Sequence, residues 1–210
     1  MKIAILHDFV STIGGTERVL NSLLEIFPQT DVYTLSTSES ALKYLKLNIS
    51  NLYTSQINKI KLLENKNSIV QLLAPFLWSA FKLKNYDLII SNSSFGLANT
   101  IKTANIPHIQ YIHTYPKNLY DPSEKLALQK FFPYHLLLRK IYEKAIHKSP
   151  YILTNSKHMQ SVLQKMFNVN SKVIYPPVII PPNPPRNKSR NSYLYIGRLD
   201  KTKSIDLAII

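Results

Sequence analysis

Gly14 and Gly15 stand between an apolar run and an amphipathic segment, a position that is typical of a ligand-binding loop. Because glycine has no side chain, a ligand can come close to the backbone there. The segment that begins at Thr16 predicts a helix, and the unpaired N–H groups and positive dipole end of a helix N-terminus favour an anion. A strand-to-helix turn that binds nothing explains the glycine pair equally well.

His113 stands at the carboxyl end of the stretch 108–113, which predicts a parallel strand. Open parallel sheets bind ligands at the carboxyl ends of their strands, which favours His113 over the other five histidines. Ser94 lies in a loop of small polar residues after the strand predicted at 87–91, so we expect it at the same edge. The alternative for His113 is a ring satisfied by neighbouring backbone groups.

Strands and helices alternate along the first 175 residues or so, and this predicts an α/β fold with a doubly wound parallel sheet, Rossmann-like. The predicted strands are 2–6, 31–35, 87–91, 108–113, 151–156 and 172–175. The predicted helices are 16–27, 41–45, 69–82, 126–132, 134–145 and 157–167, with Pro75 as a kink or a new start. Residues 48–68 are polar and predict irregular or short helical surface.

The domain organisation follows from where this alternation stops. Residues 1–178 form the predicted first domain, and 179–192 a Pro-rich basic linker. A strand-and-turn then begins at 193, so 193–210 predicts the start of a second Rossmann-like domain.

The chain carries 26 Lys and Arg residues against 12 Asp and Glu, a formal net charge of +14. Such a charge predicts an anionic partner: nucleic acid, a phosphorylated ligand or an acidic membrane surface. There is no cysteine, which excludes disulfides, thiol catalysis and cysteine-ligated metal and fits a reducing cytoplasm. We expect no signal peptide, because the N-terminus enters the first predicted strand directly, and the longest apolar stretch, 69–81, is too short to span a bilayer.

Six motifs occur in order along the chain: Gly14–Arg18, Asp87–Ser94, Tyr111–Pro116 with Tyr120-Asp121, Thr154–Lys157, Val173–Val178 and Gly197–Lys203. Their order and spacing resemble the family 4 retaining glycosyltransferases, and the mannosyltransferase-like branch that builds cell-surface polysaccharides in particular. The resemblance covers essentially the whole chain. It implies a GT-B enzyme, in which two Rossmann-like domains face one another across a cleft.

The resemblance also implies roles for single residues. Gly14 and Gly15 would lie under the donor diphosphate, with Thr16 and Ser94 beside them in the substrate site, and His113 would be the catalytic-site residue that faces the sugar. Arg198 and Lys203, from the second domain, would neutralise the diphosphate leaving group.

The implied reaction transfers a sugar, with mannose as one candidate, from a nucleotide-sugar donor to a saccharide or lipid-linked acceptor. The family needs no metal and no other cofactor. The implied location is cytoplasmic, including peripheral attachment to the inner face of the cell membrane.

Three departures from the family pattern bear on activity. The arginine motif usually continues with Glu-Lys-Gly, and here it reads Thr202-Lys203-Ser204. The loop after Ser91 usually carries a histidine, and 92–95 has none. The paired glutamates that hold the donor would lie beyond Ile210, so we expect a truncated chain that does not transfer sugar by itself.

Three other functions remain open at this point. A nucleotide-dependent oxidoreductase fits the fold, but the first loop lacks Gly-x-Gly-x-x-Gly and no acid ends the second strand. A nucleic-acid-binding module fits the charge, but no recognised motif supports it, so nucleic acid is not the expected partner. A non-catalytic remnant that binds anionic lipid or a protein partner is the third.

Overall fold

The computed structural model describes most of the chain: residues 1–11, 14–45, 51–59, 67–94, 97–103, 105–121, 133–178, 180, 195–197 and 207. The chain divides into two compact units, Met1–Pro177 and Val178–Ile210. The predicted strand at 193 and the predicted helix at 126–132 lie largely outside the described residues. The linker and second-domain boundaries therefore stay predictions.

The first unit contains a sheet of seven parallel strands in the order β3-β2-β1-β4-β5-β6-β7. The strands are β1 Ile3–Val10, β2 Asp31–Thr37, β3 Leu52–Thr54, β4 Leu88–Ser93, β5 His108–Ile112, β6 Tyr151–Thr154 and β7 Lys172–Val173. The helices are α1 Gly15–Ile26, α2 Glu39–Leu45, α3 Asn67–Ala80, α4 Lys117–Tyr120, α5 Tyr134–Ile146 and α6 Lys157–Phe167, with 3₁₀ turns at Gln56–Lys59 and Ala98–Thr100. The predicted doubly wound α/β fold is confirmed.

Helices cover both faces of this sheet, which is why strand β1 is buried along its whole length. Side chains alternate between the two faces. Ile3 and Ile5 of β1 pack with Leu20 of α1 on one face, whereas Ala4 and Leu6 belong to the larger core with Trp78 on the other. Burying a Leu or Ile side chain stabilises the fold by about 1.5–3 kcal/mol. A shift of β1 by one residue would exchange the two faces, so these contacts fix its register.

The prediction for 48–68 was wrong at Leu52–Thr54, whereas the short helical structure that it included is present at Gln56–Lys59. Leu52–Thr54 is a short edge strand that pairs with β2, and the ring of Tyr53 stacks on Tyr33 at a centroid distance of 4.7 Å. Three residues are too few to show a strand period, which explains the error. Helix α3 runs through Pro75 without a break, so Pro75 does not begin a second helix.

Candidate active site

The order of the strands reverses between β1 and β4, and polar side chains meet there at the carboxyl edge of the sheet. Doubly wound sheets bind ligands at such a point. His7 of β1 pairs in register with Asn92 of β4, and both side chains are almost fully buried. Buried polar groups need partners, so the contacts of these two residues define the centre of the site.

A series of contacts joins α1 to the residue that follows β5. A carboxylate oxygen of Glu17 lies 3.6 Å from Nε2 of His7, and the Nδ1 atom of His7 lies 3.0 Å from Nδ2 of Asn92. Oδ1 of Asn92 is 2.5 Å from Nε2 of His113. The same Asn92 Nδ2 donates to the carbonyl oxygen of Thr16 at 3.1 Å, so Asn92 connects β1, α1 and the end of β5.

His113 is held by its backbone as well as by its ring. Its N–H donates to Ser93 O at 2.9 Å, and its carbonyl accepts from Nδ2 of Asn155 at 3.1 Å. The ring stands edge-on to Tyr111 at 4.7 Å. Burial lowers the pKa of His113 to about 3, with a further lowering by His7 and an opposite effect of Glu17. The ring is therefore neutral at physiological pH and offers hydrogen bonds rather than positive charge.

The N-terminus of α1 is organised by Glu17. Its Oε2 atom accepts from Gly14 N at 2.9 Å and from the Thr16 hydroxyl at 2.8 Å. Burial alone would raise the pKa of Glu17, but the contacts with His7 and the Thr16 hydroxyl together lower it by more than burial raises it. The net shift of the pKa is therefore downward, and the carboxylate stays ionised. The sequence predicts that N–H groups at the start of this helix bind an anion. The N–H group of Gly14 is already paired with the carboxylate of Glu17.

The two glycines differ in their surroundings. A Cβ atom added to Gly14 would stand 2.9 Å from Oε2 of Glu17, whereas one added to Gly15 would meet no atom of the described residues within 4 Å. Among those residues, Gly15 therefore borders open space at the helix N-terminus. A ligand anion has room to approach Gly15, and Gly14 is needed for the approach of Glu17.

Asp8 fixes the loop that carries Ser94. Its buried carboxylate accepts from Ser94 N at 2.6 Å, from the Ser94 hydroxyl at 3.1 Å and from Ala98 N at 2.8 Å, with the Ser93 hydroxyl at 3.4 Å. A carboxylate that accepts several hydrogen bonds holds its donors in one arrangement. The hydroxyl of Ser94 is therefore engaged with Asp8 at the edge of the site.

Residues 13–180 match the family model for Glycosyltransferase Family 4. The chain belongs to this family. The fold is also similar to the crystal structure of Anabaena Alr3699/HepE in complex with UDP, with 19% sequence identity and a TM-score of 0.50 over 84% of this chain. Structures of HepE with UDP and glucose and with UDP-glucose align at 17% identity, with TM-scores of 0.49 and 0.48.

The family 4 chain spans 44% of the length of HepE, less than half of that protein. No curated protein is detectably similar to it. At this level of identity the likeness to HepE shows the fold, and the family match carries the relationship.

The five site residues that the sequence predicts in the first domain of this family 4 chain lie at one edge of the sheet. Gly14, Gly15 and Thr16 begin α1, Ser94 follows β4 and His113 follows β5. Arg198 and Lys203 lie outside the described residues. The sequence analysis missed His7, Asp8, Asn92 and Glu17; the polar pair directly after the apolar run 3–6 is the signal that could have found the first two.

The described ranges contain no group of three or more His, Asp or Glu side chains arranged to hold a metal ion. None of the described helices is both long and apolar enough to cross a bilayer.

Proposed function

We propose that this chain is the acceptor-side domain, with the start of the donor-binding domain, of a retaining GT-B glycosyltransferase. The reaction moves a sugar from a nucleotide-sugar donor to a saccharide or lipid-linked acceptor in cell-surface polysaccharide synthesis. The observation that carries the proposal is the match to Glycosyltransferase Family 4 over residues 13–180. The meeting of the glycine loop and His113 beside β1 and β4 supports it, since ligands of such sheets bind there.

In this proposal the open space beside Gly15 receives the donor diphosphate, and the N-terminus of α1 contributes its dipole. His113, being neutral, contacts a hydroxyl group of the transferred sugar. Arg198 and Lys203 neutralise the charge that develops on the departing diphosphate, Arg with two parallel donors and Lys as a point charge.

Two classes of donor fit this proposal. HepE binds UDP, so UDP-sugars are one donor class to test. The resemblance of the six motifs to the mannosyltransferase-like branch favours a mannose donor as the other. The acceptor is a saccharide or a lipid-linked saccharide in both cases.

The test is sugar transfer, measured with radiolabelled UDP-glucose and GDP-mannose and a lipid-linked saccharide acceptor. The 210-residue chain is assayed alone and with a separately expressed donor-binding domain from a family 4 enzyme. We expect transfer in the mixture that contains the added donor-binding domain, and its loss, by about 10²-fold or more, in His113→Ala. His158→Ala, on the exposed surface of α6, is the matched control that keeps full activity.

Two results would contradict the proposal. Equal transfer by His113→Ala and His158→Ala would remove His113 from the site. NAD⁺-dependent oxidation of an alcohol substrate by the chain, with no effect of nucleotide sugars on the amide signals of Gly15 and His113, would favour the oxidoreductase instead.

We also propose peripheral attachment to the anionic inner face of the cell membrane, where a lipid-linked acceptor would lie. Apolar side chains are exposed on two neighbouring helices: Leu73 and Phe76 on α3, and Leu136 and Leu137 on α5. The helices touch where the Tyr134 hydroxyl of α5 donates to Leu72 O of α3. Exposed Lys140 and Lys144 on α5 and the net charge of +14 complement anionic lipid headgroups.

A further inference from the structure

The series of contacts from Glu17 through His7 and Asn92 to His113 determines which nitrogen carries the proton on each of its two histidine rings. The first three residues are buried: Glu17 is 5% exposed, His7 is 2% exposed and Asn92 is 1% exposed. A neutral imidazole has one N–H, and its position depends on the hydrogen-bond partners of the two nitrogens. In a buried series each partner constrains the next.

The amide of Asn92 has only one acceptable orientation. The carbonyl oxygen of Thr16 can only accept, so the Asn92 atom that lies 3.1 Å from it must be the NH₂ group. The oxygen of the amide then faces Nε2 of His113 at 2.5 Å. An amide oxygen cannot donate, so Nε2 of His113 carries the proton.

The same reasoning applies on the other side of Asn92. Its NH₂ group also faces Nδ1 of His7 at 3.0 Å, so Nδ1 of His7 is an acceptor. The proton of the His7 ring is then on Nε2, which lies 3.6 Å from the ionised carboxylate of Glu17. At this distance the contact is electrostatic and not a hydrogen bond, and the negative carboxylate favours a proton on that nitrogen.

We infer that Glu17, His7 and Asn92 are positioning residues that hold His113 in the tautomer with Nε2 protonated and Nδ1 as an acceptor. The tautomer follows from the contacts alone; its use in catalysis rests on the proposed function. An acceptor nitrogen receives a hydrogen bond from a sugar hydroxyl and repels the oxygens of a phosphate. The tautomer thus directs His113 to the sugar of the donor and away from its diphosphate.

The groups around His113 leave this tautomer in place. His7 of β1, Glu17 of α1 and Tyr111 of β5 are the titratable groups near the ring, and Asn155 holds its carbonyl group. Among the described residues, no hydrogen bond reaches Nδ1 of His113. Since burial keeps the ring neutral, it has a single N–H, and Asn92 decides where that proton lies.

The test is nitrogen-15 NMR of the 210-residue chain labelled at histidine, recorded near pH 7.5. We expect the Nδ1 signals of His7 and His113 at the shift of an unprotonated nitrogen and both Nε2 signals at that of a protonated one. A His113 ring with Nδ1 protonated, or a mixture of both tautomers, would overturn the inference. This reading needs no variant.

The variant Asn92→Asp tests the positioning role of Asn92 in a second experiment. A carboxylate cannot donate to Nδ1 of His7, so that nitrogen must bind its own proton, and the new charge should raise the pKa of His113 by at least about one unit. Asn168→Asp is the matched control, because Asn168 is exposed and its side-chain oxygen accepts from Gln164, a bond that Asp keeps. Unchanged tautomers and pKa in Asn92→Asp would overturn the positioning role.

Titration with UDP-glucose and GDP-mannose separates the inference from the proposed function. A shift of the His113 Nδ1 signal toward that of a hydrogen-bonded acceptor supports both. The expected tautomers with no response to either sugar would overturn the sugar contact and leave the positioning role intact.

Discussion

Gly14 and Gly15 are neighbours in the sequence, but their surroundings predict different consequences for the same substitution. Gly15→Ala should leave stability unchanged or raise it by up to about 1 kcal/mol, because Gly15 is the first residue of α1 and its Cβ would meet open space. It should weaken binding of a nucleotide sugar by about tenfold or more, since that space is where the diphosphate would lie.

Gly14→Ala, in contrast, should lower the stability of the fold. The new Cβ would displace Glu17 from its contacts with Gly14 N and Thr16, which costs about 1–2 kcal/mol of unfolding free energy. Urea unfolding and calorimetric titration of both variants provide the check. Equal effects of the two substitutions on stability and on binding would refute this division.

His108 and His113 predict how stability depends on pH. Burial, with Lys148 nearby, lowers the pKa of His108 from 6.5 to about 4, and that of His113 falls to about 3. The unfolded chain binds protons on both rings below about pH 6.5 while the folded chain does not. Their stabilisation is therefore complete above pH 6.5 and is lost as pH falls toward 4, by up to about 1.4 kcal/mol per pH unit for each ring.

Unfolding free energies measured in urea between pH 7.5 and 4.5 test this dependence. His108→Gln can still contact the Ser91 hydroxyl, which His108 meets at 2.9 Å, and should give a flatter curve. His158→Gln, on the exposed surface of α6, should give the curve of the unchanged protein. A slope that is the same in all three proteins would show that His108 does not titrate as expected.

At the scale of elements, Asp8 connects the end of β1 to the segment between β4 and the 3₁₀ turn at Ala98. Asp8→Asn replaces one acceptor oxygen by a donor that faces the N–H of Ser94 or Ala98. We expect a loss of about 2–4 kcal/mol in unfolding free energy and faster hydrogen exchange at both amides. Asp87→Asn is the control: it keeps an acceptor for Lys2 N on an exposed surface and should cost less than about 0.5 kcal/mol.

Helix α6 shows why some elements could be predicted to the residue. Its bounds, Lys157–Phe167, are those that the sequence predicts, because every local signal agrees. Ser156 caps the N-terminus by accepting from Met159 N at 3.1 Å, the buried Met159, Leu163 and Phe167 recur every four residues, and Asn168 ends the helix in the left-handed conformation. Strand β3 lacks such signals, since its pairing with β2 is a tertiary contact.

The site was predictable only in part, for a similar reason. The rule for the carboxyl edges of parallel strands was enough to bring His113, Ser94 and Gly14 into one region. The partners of His113 depend on the pairing of His7 with Asn92, residues 85 positions apart. That pairing follows from the strand order, which local sequence does not encode.

At the scale of the whole molecule, the proposed membrane attachment combines charge with the exposed apolar side chains of α3 and α5. We expect the chain to bind phosphatidylserine-containing vesicles and to leave phosphatidylcholine vesicles largely unbound. Binding should weaken as salt rises, because exposed charges are screened over about 8–10 Å at physiological ionic strength. Equal retention on both kinds of vesicle, or tighter binding to duplex DNA, would contradict an anionic membrane as the partner.

The apolar contribution is tested by Leu73→Ser combined with Phe76→Ser. These side chains are 42% and 56% exposed and lie one helical turn apart on α3, so both can enter the lipid headgroup region together. Losing their partial burial should cost about 2 kcal/mol, which is roughly thirtyfold in vesicle affinity, and should leave the salt dependence unchanged. Ile26→Ser is the matched control: Ile26 is 66% exposed at the end of α1, whose apolar residues pack on the opposite face of the sheet. An equal loss of vesicle affinity in Ile26→Ser would show that the binding does not depend on α3 in particular. If neither protein lost affinity, charge alone would account for the binding.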